Sequence, residues 1–390
     1  MAYDNDHIET ANIIIAGMTG CGKSTLVNAV FGLEGAAKAK TAKGLAVTEY
    51  ISEYSSQHVP IKILDTVGLE INPEKTMRSI EDIKKRIRES GTSGTKDDFN
   101  INGIHAIWYC VNVGNSRYQQ DELKFVKDLH SVGVPFIIVL TQCIQPEEDV
   151  DRFEEIVKDI NRDNGMNDIE IVQVLAEDYA VRGIVIPSFG LDDLVDTTVK
   201  NLKGFVKNGF IAAQRINVKH KKELATSILH NYVKNSTGFL DKIPFLNTIK
   251  TQFNISDMFT EIATVYNSVL TEEDIETVWG NVWGIKGKFI SFGGTLIPFV
   301  DFGASTVLNA AIRDGEIQSF TDVGIKEFGR SDQSASQLAM FGDSFISAIT
   351  EVWEENIGAK SSRIEGIVDK LVQRIKDRWI AFREKYLGKY

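Results

Sequence analysis

The chain has 390 residues, of which 43% are hydrophobic, so it can form two domains that each bury a core. Its formal net charge of -11 repels phosphate polymers and argues against binding to nucleic acid over a large surface. Only three cysteines occur, without the spacing of a disulfide framework or a zinc site, and the acidic N-terminus lacks a secretory signal. These features predict a cytoplasmic protein.

The chain begins with a predicted strand, a glycine-rich loop and a helix. The strand is the apolar run from Asn12 to Ala16, and the helix extends from Lys23 to Phe31. The loop between them reads GMTGCGKS over residues 17–24. Glycines at this place let backbone N–H groups approach a phosphate chain. The pattern therefore predicts a phosphate-binding loop at the start of a helix.

The polar residues of this loop have expected roles toward a nucleoside triphosphate. Lys23 is placed to reach the β- and γ-phosphates, and Ser24 supplies a hydroxyl ligand to Mg²⁺. Thr25 adds a hydroxyl toward the α-phosphate. The nucleotide ligands expected in this segment are Thr19, Gly20, Cys21, Gly22, Lys23, Ser24 and Thr25.

A second motif, DTVG at residues 65–68, ends the next apolar run. The carboxylate of Asp65 can hold Mg²⁺ through water, and Gly68 lets the following loop move to the γ-phosphate. Between the two motifs, Thr48 is expected to complete the Mg²⁺ shell and to sense the γ-phosphate, with Thr41 as a nearby alternative. The expected metal ligands are Ser24, Thr48 and Asp65, and the expected catalytic residues are Lys23, Thr48 and Gly68.

Apolar runs and helical segments alternate up to about residue 207. Because the runs are apolar without alternation, they are typical of a parallel sheet that is buried on both faces. We predict a doubly wound, mostly parallel α/β domain over residues 1–207 and an all-α domain over residues 208–390, where only helical periodicity continues. The further strands are predicted at 61–64, 104–113, 135–140 and 169–174, and the helices at 72–89, 118–129, 146–164 and 190–207.

The segments GMTGCGKST and DTVGLE, with a threonine between them, resemble the Era-like and dynamin-like branch of P-loop GTPases over about residues 10–205. The whole chain is similar to bacterial relatives of the immunity-related GTPases, which join such a domain to a helical C-terminal domain. The resemblance implies a P-loop GTPase-type sheet, GTP and GDP as ligands, Mg²⁺ as cofactor and a nucleotide-dependent homodimer. VLTQC at 139–143 and VLAED at 174–178 stand where that family has its base-recognition segments. The implied base ligands are Thr141, Gln142, Ala176 and Glu177.

Two residues depart from the family pattern. Ile144 stands where the family has the aspartate that reads guanine, and it cannot accept from the ring N–H groups. Ala176 still offers a backbone N–H to guanine O6, and Glu147 and Glu148 are alternative acceptors. Leu69 stands where Ras-type enzymes carry a water-orienting glutamine, so slow hydrolysis is expected of an isolated monomer.

Two functions are compatible with these motifs. The first is a GTPase switch in which loops around Thr48 and Gly68 respond to the nucleotide and drive dimerisation or movement of the helical domain. The second is a nucleotide-stabilised scaffold that binds GTP or ATP and scarcely hydrolyses it.

Two segments of the second half have alternative interpretations. Residues 289–312 contain one ionisable residue, Asp301, and predict either a buried helical hairpin or a membrane-inserting one. Residues 359–390 carry nine Lys and Arg against four Asp and Glu, which is typical of a docking helix or of a helix on an anionic membrane. Peripheral membrane contact is therefore an alternative to a purely cytoplasmic location.

Overall fold

The computed structural model describes residues 8–32, 51–56, 59–66, 81, 84–85, 103–115, 118, 120–238, 255–268, 270–283, 333–356 and 366–386. The chain divides into two compact units that meet in sequence between Asn217 and Val218. The first unit contains the predicted phosphate-binding loop.

A six-stranded sheet forms the centre of the first unit. Its strands are β1 (Ala11–Gly17), β2 (Ile51–Ser56), β3 (Val59–Thr66), β4 (Ala106–Asn112), β5 (Phe136–Thr141) and β6 (Glu170–Val174). They lie in the order β2-β3-β1-β4-β5-β6. All neighbours run parallel except β2, which is antiparallel to β3 at one edge. The predicted α/β fold with a mostly parallel sheet is confirmed.

Helices cover the sheet and connect its strands. Those described in the first unit are α1 (Lys23–Phe31), α2 (Gln120–His130), α3 (Glu147–Asp163), α4 (Leu191–Asn201) and α5 (Gly204–Ala213). The predicted helix at 72–89 lies almost entirely outside the described residues.

The single helix predicted at 190–207 is in fact two helices, α4 and α5. The chain leaves α4 at Leu202, which is extended with φ -83° and ψ 155° and buries its side chain instead of continuing the helix. Gly204 then takes a positive φ of 56° as α5 begins. Because α5 packs against β1 and β3, the first unit continues to Asn217, and the domain boundary expected at residue 207 falls inside α5.

Trp108 on β4 holds α1 and α5 against one face of the sheet. Its ring stacks on Phe31 of α1 with centroids 5.8 Å apart and meets Phe210 of α5 edge-on at 6.1 Å. Side chains alternate along a strand, so the neighbouring Tyr109 lies on the other face, in a hydrophobic cluster with residues of α2 and α3. Helices therefore cover both faces of β4, which explains an apolar strand without alternation.

The parallel registers bring the carboxyl ends of the strands to one edge of the sheet. Gly17 of β1 lies opposite Cys110 of β4, and Asn112 of β4 lies opposite Thr141 of β5. Thr141 is in turn paired with Val174 of β6. Ligands of open α/β sheets bind outside this edge, and the phosphate-binding sequence leaves β1 here.

A β-hairpin that the sequence analysis missed follows β6. It consists of β7 (Tyr179–Val181) and β8 (Ile184–Ile186), which pair antiparallel. The turn residues Arg182 and Gly183 both have positive φ, 49° and 83°, as a two-residue hairpin turn requires. Strands of three residues are too short for periodicity to reveal them.

The described part of the second unit is helical, with α6 (Val218–Gly238), α7 (Ile255–Val265), α8 (Glu272–Trp283), α9 (Gln333–Glu354) and α10 (Ile367–Tyr386). Phe259 packs against the rings of Trp279 and Phe345 with centroids 5.0 and 4.9 Å apart. Lys221 is buried in the same unit, where its ammonium donates to a backbone carbonyl of α7 at 2.7 Å and lies 5.1 Å from the centroid of the Trp353 ring. These contacts compensate the burial of its charge.

The segment 289–312, with its two alternative interpretations, lies outside the described residues. Of the helices that the structure does describe, none is both long and apolar enough to cross a bilayer.

Candidate nucleotide-binding site

Three glycines give the loop at residues 17–24 its shape. Gly17, Gly20 and Gly22 have φ values of 140°, 76° and 87°, which residues with a Cβ rarely adopt. A Cβ on Gly17 would lie 2.3 Å from the carbonyl oxygen of Cys110, whereas one on Gly20 would meet nothing within 4 Å. The loop therefore packs tightly on β4 at Gly17 and is open at Gly20.

Helix α1 begins in a way that suits an anion. Its N-cap is Gly22, which makes no side-chain cap hydrogen bond, and the first turn contains no acidic residue. The first N–H groups of a helix have no acceptor within the helix, and the helix dipole favours negative charge beside them. Glycine at the cap leaves these donors available to a phosphate group.

The ammonium of Lys23 lies over the loop. Its Nζ donates to the carbonyl oxygens of Gly17 at 2.9 Å and Met18 at 3.1 Å, and it lies 3.9 Å from the Sγ of Cys21. The Lys23 side chain therefore folds back over the first residues of the loop. This position adds a positive charge to the backbone donors of the loop and of α1.

Thr141, the last residue of β5, and Gln142, which follows it, both contact the backbone of the loop. The Thr141 hydroxyl is buried and lies 2.6 Å from the carbonyl oxygen of Cys21 and 3.2 Å from that of Val111. The Gln142 amide donates to the carbonyl oxygen of Gly20 at 2.8 Å. The structure places polar atoms of both residues on the loop backbone, and their expected contact with the base stays a prediction.

Asn112 extends this contact to the end of β4, and the sequence analysis did not identify it. Its amide donates to the Oε1 of Gln142 at 3.0 Å, and its Oδ1 accepts from the backbone N–H of Gly114 at 2.7 Å. Gln142 itself has a positive φ of 55°, an uncommon conformation for a residue with a Cβ. Asn112 could have been found from the sequence, because it is a polar residue at the end of an apolar strand.

The expected metal ligands are only partly described. Asp65 pairs with Ile15 near the end of β3, beside the loop that leaves β1, and Ser24 is exposed in the first turn of α1. A carboxylate and a hydroxyl are oxygen donors of the kind that Mg²⁺ takes, together with waters and phosphate oxygens. Thr48 and Gly68, like Thr41 and Leu69, lie outside the described residues.

The second implied base segment lies on a loop whose two ends are joined by hydrogen bonds, called the closed loop below. Leu175 and Phe189 exchange two backbone hydrogen bonds of 3.0 Å, and the loop between them carries the β7–β8 hairpin. Ala176 is partly buried and Glu177 is exposed just after Leu175. In the first base segment, Ile144 is partly buried and its N–H donates to the carbonyl oxygen of Gln142 at 2.8 Å.

Residues 12–142, about a third of the chain, match the family model described as 50S ribosome-binding GTPase. A comparison with curated proteins gives no significant match. Among solved structures, the bacterial selenocysteine-specific elongation factor EF-Sec is 20% identical with a TM-score of 0.33, and the match covers 50% of this chain and 29% of that one. A probable GTP-binding protein engB is 17% identical with a TM-score of 0.33, over 49% of this chain and 97% of that one.

A variant of Era from Aquifex aeolicus bound to GDP·AlF4⁻ is 17% identical with a TM-score of 0.33, over 59% of this chain and 68% of that one. The family match covers the strand, loop and helix that carry Lys23 and extends to Gln142. The matched segment is thus similar to a GTPase domain.

Proposed function

We propose that this protein binds GTP and Mg²⁺ at the loop of residues 17–24, hydrolyses GTP slowly to GDP and phosphate, and changes its self-association with the bound nucleotide. The observation that carries the proposal is the position of Lys23 over an uncapped helix start. Backbone N–H groups of the loop and α1 would donate to the phosphate oxygens, while Lys23 would neutralise the β- and γ-phosphates.

In this proposal Ser24 would ligate Mg²⁺ directly and Asp65 would hold it through water. When bound, the ion supplies charge neutralisation between the β- and γ-phosphates. The protein's own contribution is to fix the loop, because Thr141 and Gln142 hold its carbonyl groups and so keep its N–H groups turned toward the ligand.

Replacing Lys23 with Ala is expected to weaken GTP binding by at least about tenfold, because the only side-chain cation of the loop is removed. Isothermal titration with GTP and Mg²⁺ measures the change. Lys158→Ala is the matched control, since Lys158 is a surface lysine of α3 that pairs with Glu154 and Glu155. Equal affinities for GTP in wild type and Lys23→Ala would refute the site.

Preference for guanine is the finer part of the proposal, because Ile144 carries no carboxylate. Ile144→Asp is expected to raise affinity for GTP relative to ATP by about 1–3 kcal/mol, since the new carboxylate would accept from the ring N–H groups. Ile144→Ala is the control, because it removes the isoleucine without adding an acceptor. An unchanged GTP to ATP ratio in Ile144→Asp would show that this segment does not face the base.

A second copy of the chain is the proposed source of the group that completes hydrolysis. Leu69 cannot orient the attacking water, so an isolated monomer is expected to turn over at the unassisted rate of ~10⁻⁴ to 10⁻³ s⁻¹. Association of two nucleotide-bound domains can add a group to each site.

The β7–β8 hairpin supports this choice of partner. Among the described residues, exposed large apolar side chains concentrate on and beside it, including Tyr179, Ile184 and Val185 with 41%, 67% and 59% of their surface accessible. Such a patch is typical of a protein interaction site. Because the hairpin is carried by the closed loop that contains Ala176 and Glu177, contacts on it are linked to the base side of the site.

Turnover per molecule is expected to rise with protein concentration, and a dimer is expected with a non-hydrolysable GTP analogue but not with GDP. Light scattering in each nucleotide state and a concentration series of phosphate release measure these effects. Ile184→Glu should abolish both, because it places a charge in the interface, whereas Ile156→Glu on the surface of α3 should abolish neither.

Fast turnover by a persistent monomer would contradict the dimer. Negligible turnover at every concentration, with GTP bound, would instead favour the nucleotide-binding scaffold.

A further inference from the structure

Two of the three cysteines lie at the loop of residues 17–24 and the strand beside it. Cys21 is a residue of the loop itself, and Cys110 is the residue of β4 that pairs with Gly17. A Cβ on Gly17 would lie 2.9 Å from the Sγ of Cys21 and 2.3 Å from the carbonyl oxygen of Cys110. The Cys21 sulfur therefore lies beside the glycine that pairs with Cys110, and both cysteines are reduced and buried.

Strand alternation places Cys110 on the face of the sheet that α1 covers. Trp108 packs against α1, so Cys110, two residues further along β4, lies on that same face near the start of α1. Cys143 belongs to the hydrophobic cluster on the opposite face with Tyr109, and its thiol donates to the carbonyl oxygen of Leu140 at 3.2 Å. The sheet thus separates Cys143 from the other two.

The two thiols differ in acidity in a way that favours reaction between them. A hydrogen bond from Cys110 lowers the pKa of Cys21, and the nearby charge of Lys23 lowers it further. The same hydrogen bond and burial raise the pKa of Cys110 well above its ordinary value. The position of Cys21, beside the Lys23 ammonium and next to a helix N-terminus, suits it to be the attacking thiol, with Cys110 as its partner.

We propose that Cys21 and Cys110 form a reversible disulfide with hydrogen peroxide as oxidant, and that this bond switches off nucleotide binding. The inference rests on the proposed nucleotide site, because its consequence is measured there. Three observations carry it: the Cys21 sulfur lies beside Gly17, Gly17 pairs with Cys110 on the neighbouring strand, and the Lys23 ammonium lies 3.9 Å from the Cys21 sulfur.

The chemistry balances in two steps. The Cys21 thiolate attacks one oxygen of the peroxide, an S–O bond forms as the O–O bond breaks, and the leaving hydroxide takes a proton to become water. The Cys110 sulfur then attacks the Cys21 sulfur; an S–S bond forms, the S–O bond breaks, and the leaving hydroxide takes the Cys110 thiol proton as a second water. Two thiols are oxidised and one peroxide is reduced.

The bond would deform the loop. An S–S bond is about 2.0 Å long, much shorter than a hydrogen-bonded contact between two sulfurs. Cys110 lies among the buried residues of β4, and a close-packed strand resists movement toward the loop. Cys21 must therefore shift toward β4. Its carbonyl group would leave the Thr141 hydroxyl, and the N–H groups of the loop would no longer converge on the phosphates.

The full-length protein is first titrated with fluorescent GTP in the reduced state, then after hydrogen peroxide, and again after dithiothreitol. Oxidation is expected to weaken GTP binding by about tenfold or more, and reduction to restore it. GTP bound beforehand should slow the loss, because it holds the loop in place. Trypsin separates the three cysteines onto peptides 1–23, 97–117 and 128–152, so mass spectrometry identifies the linked pair directly.

Cys110→Ala, with Cys110→Ser in case the smaller side chain impairs folding, should bind GTP when reduced and should show no reversible loss through a disulfide. Cys143→Ala is the matched control and should lose affinity on oxidation as wild type does. Oxidation of Cys21 without a link between peptides 1–23 and 97–117 would overturn the proposal, and so would a link that leaves affinity unchanged. Absence of GTP binding in the reduced protein would instead refute the nucleotide site, and the linked peptide would still report the thiol chemistry.

Discussion

The arrangement of the candidate nucleotide site depends on one buried hydroxyl. Thr141 at the end of β5 lies within hydrogen-bond distance of the carbonyl oxygens of Cys21 and Val111, and so joins the phosphate-binding loop to two strands. A glycine-rich loop has few side chains with which to hold itself, and its open conformation costs backbone entropy. The fixed ends of β4 and β5 supply the rigidity that the loop lacks.

The sheet therefore contributes to the site by holding the loop in one conformation. Parallel pairing aligns Cys110 with Gly17 and Asn112 with Thr141, so contacts between strand ends form a continuous support under the loop. Trp108, held between α1 and α5, fixes the helix whose start carries Lys23. In the proposed site, donors to phosphate would thus be in place before a ligand arrives, which favours strong electrostatic binding.

Much of the fold could be predicted from the sequence, because strong local patterns specify it. The glycines, Lys23 and the apolar run before them predict the loop, and the apolar runs without alternation predict the parallel sheet. The contact between Thr141 and Cys21 spans 120 residues and has no local pattern, so the sequence did not reveal that Thr141 contacts the loop. The short hairpin and the break at Leu202 were missed because tertiary packing decides both.

The most direct test of the account is the affinity for GTP of Thr141→Val, with Thr141→Ser as its control. Valine keeps the shape and removes the hydroxyl, so the buried carbonyl of Cys21 loses its donor, which costs about 1–3 kcal/mol. The account predicts that Thr141→Val binds GTP roughly tenfold more weakly while Thr141→Ser binds like wild type. Equal affinity in Thr141→Val, in a folded protein, would show that the strand ends do not hold the loop.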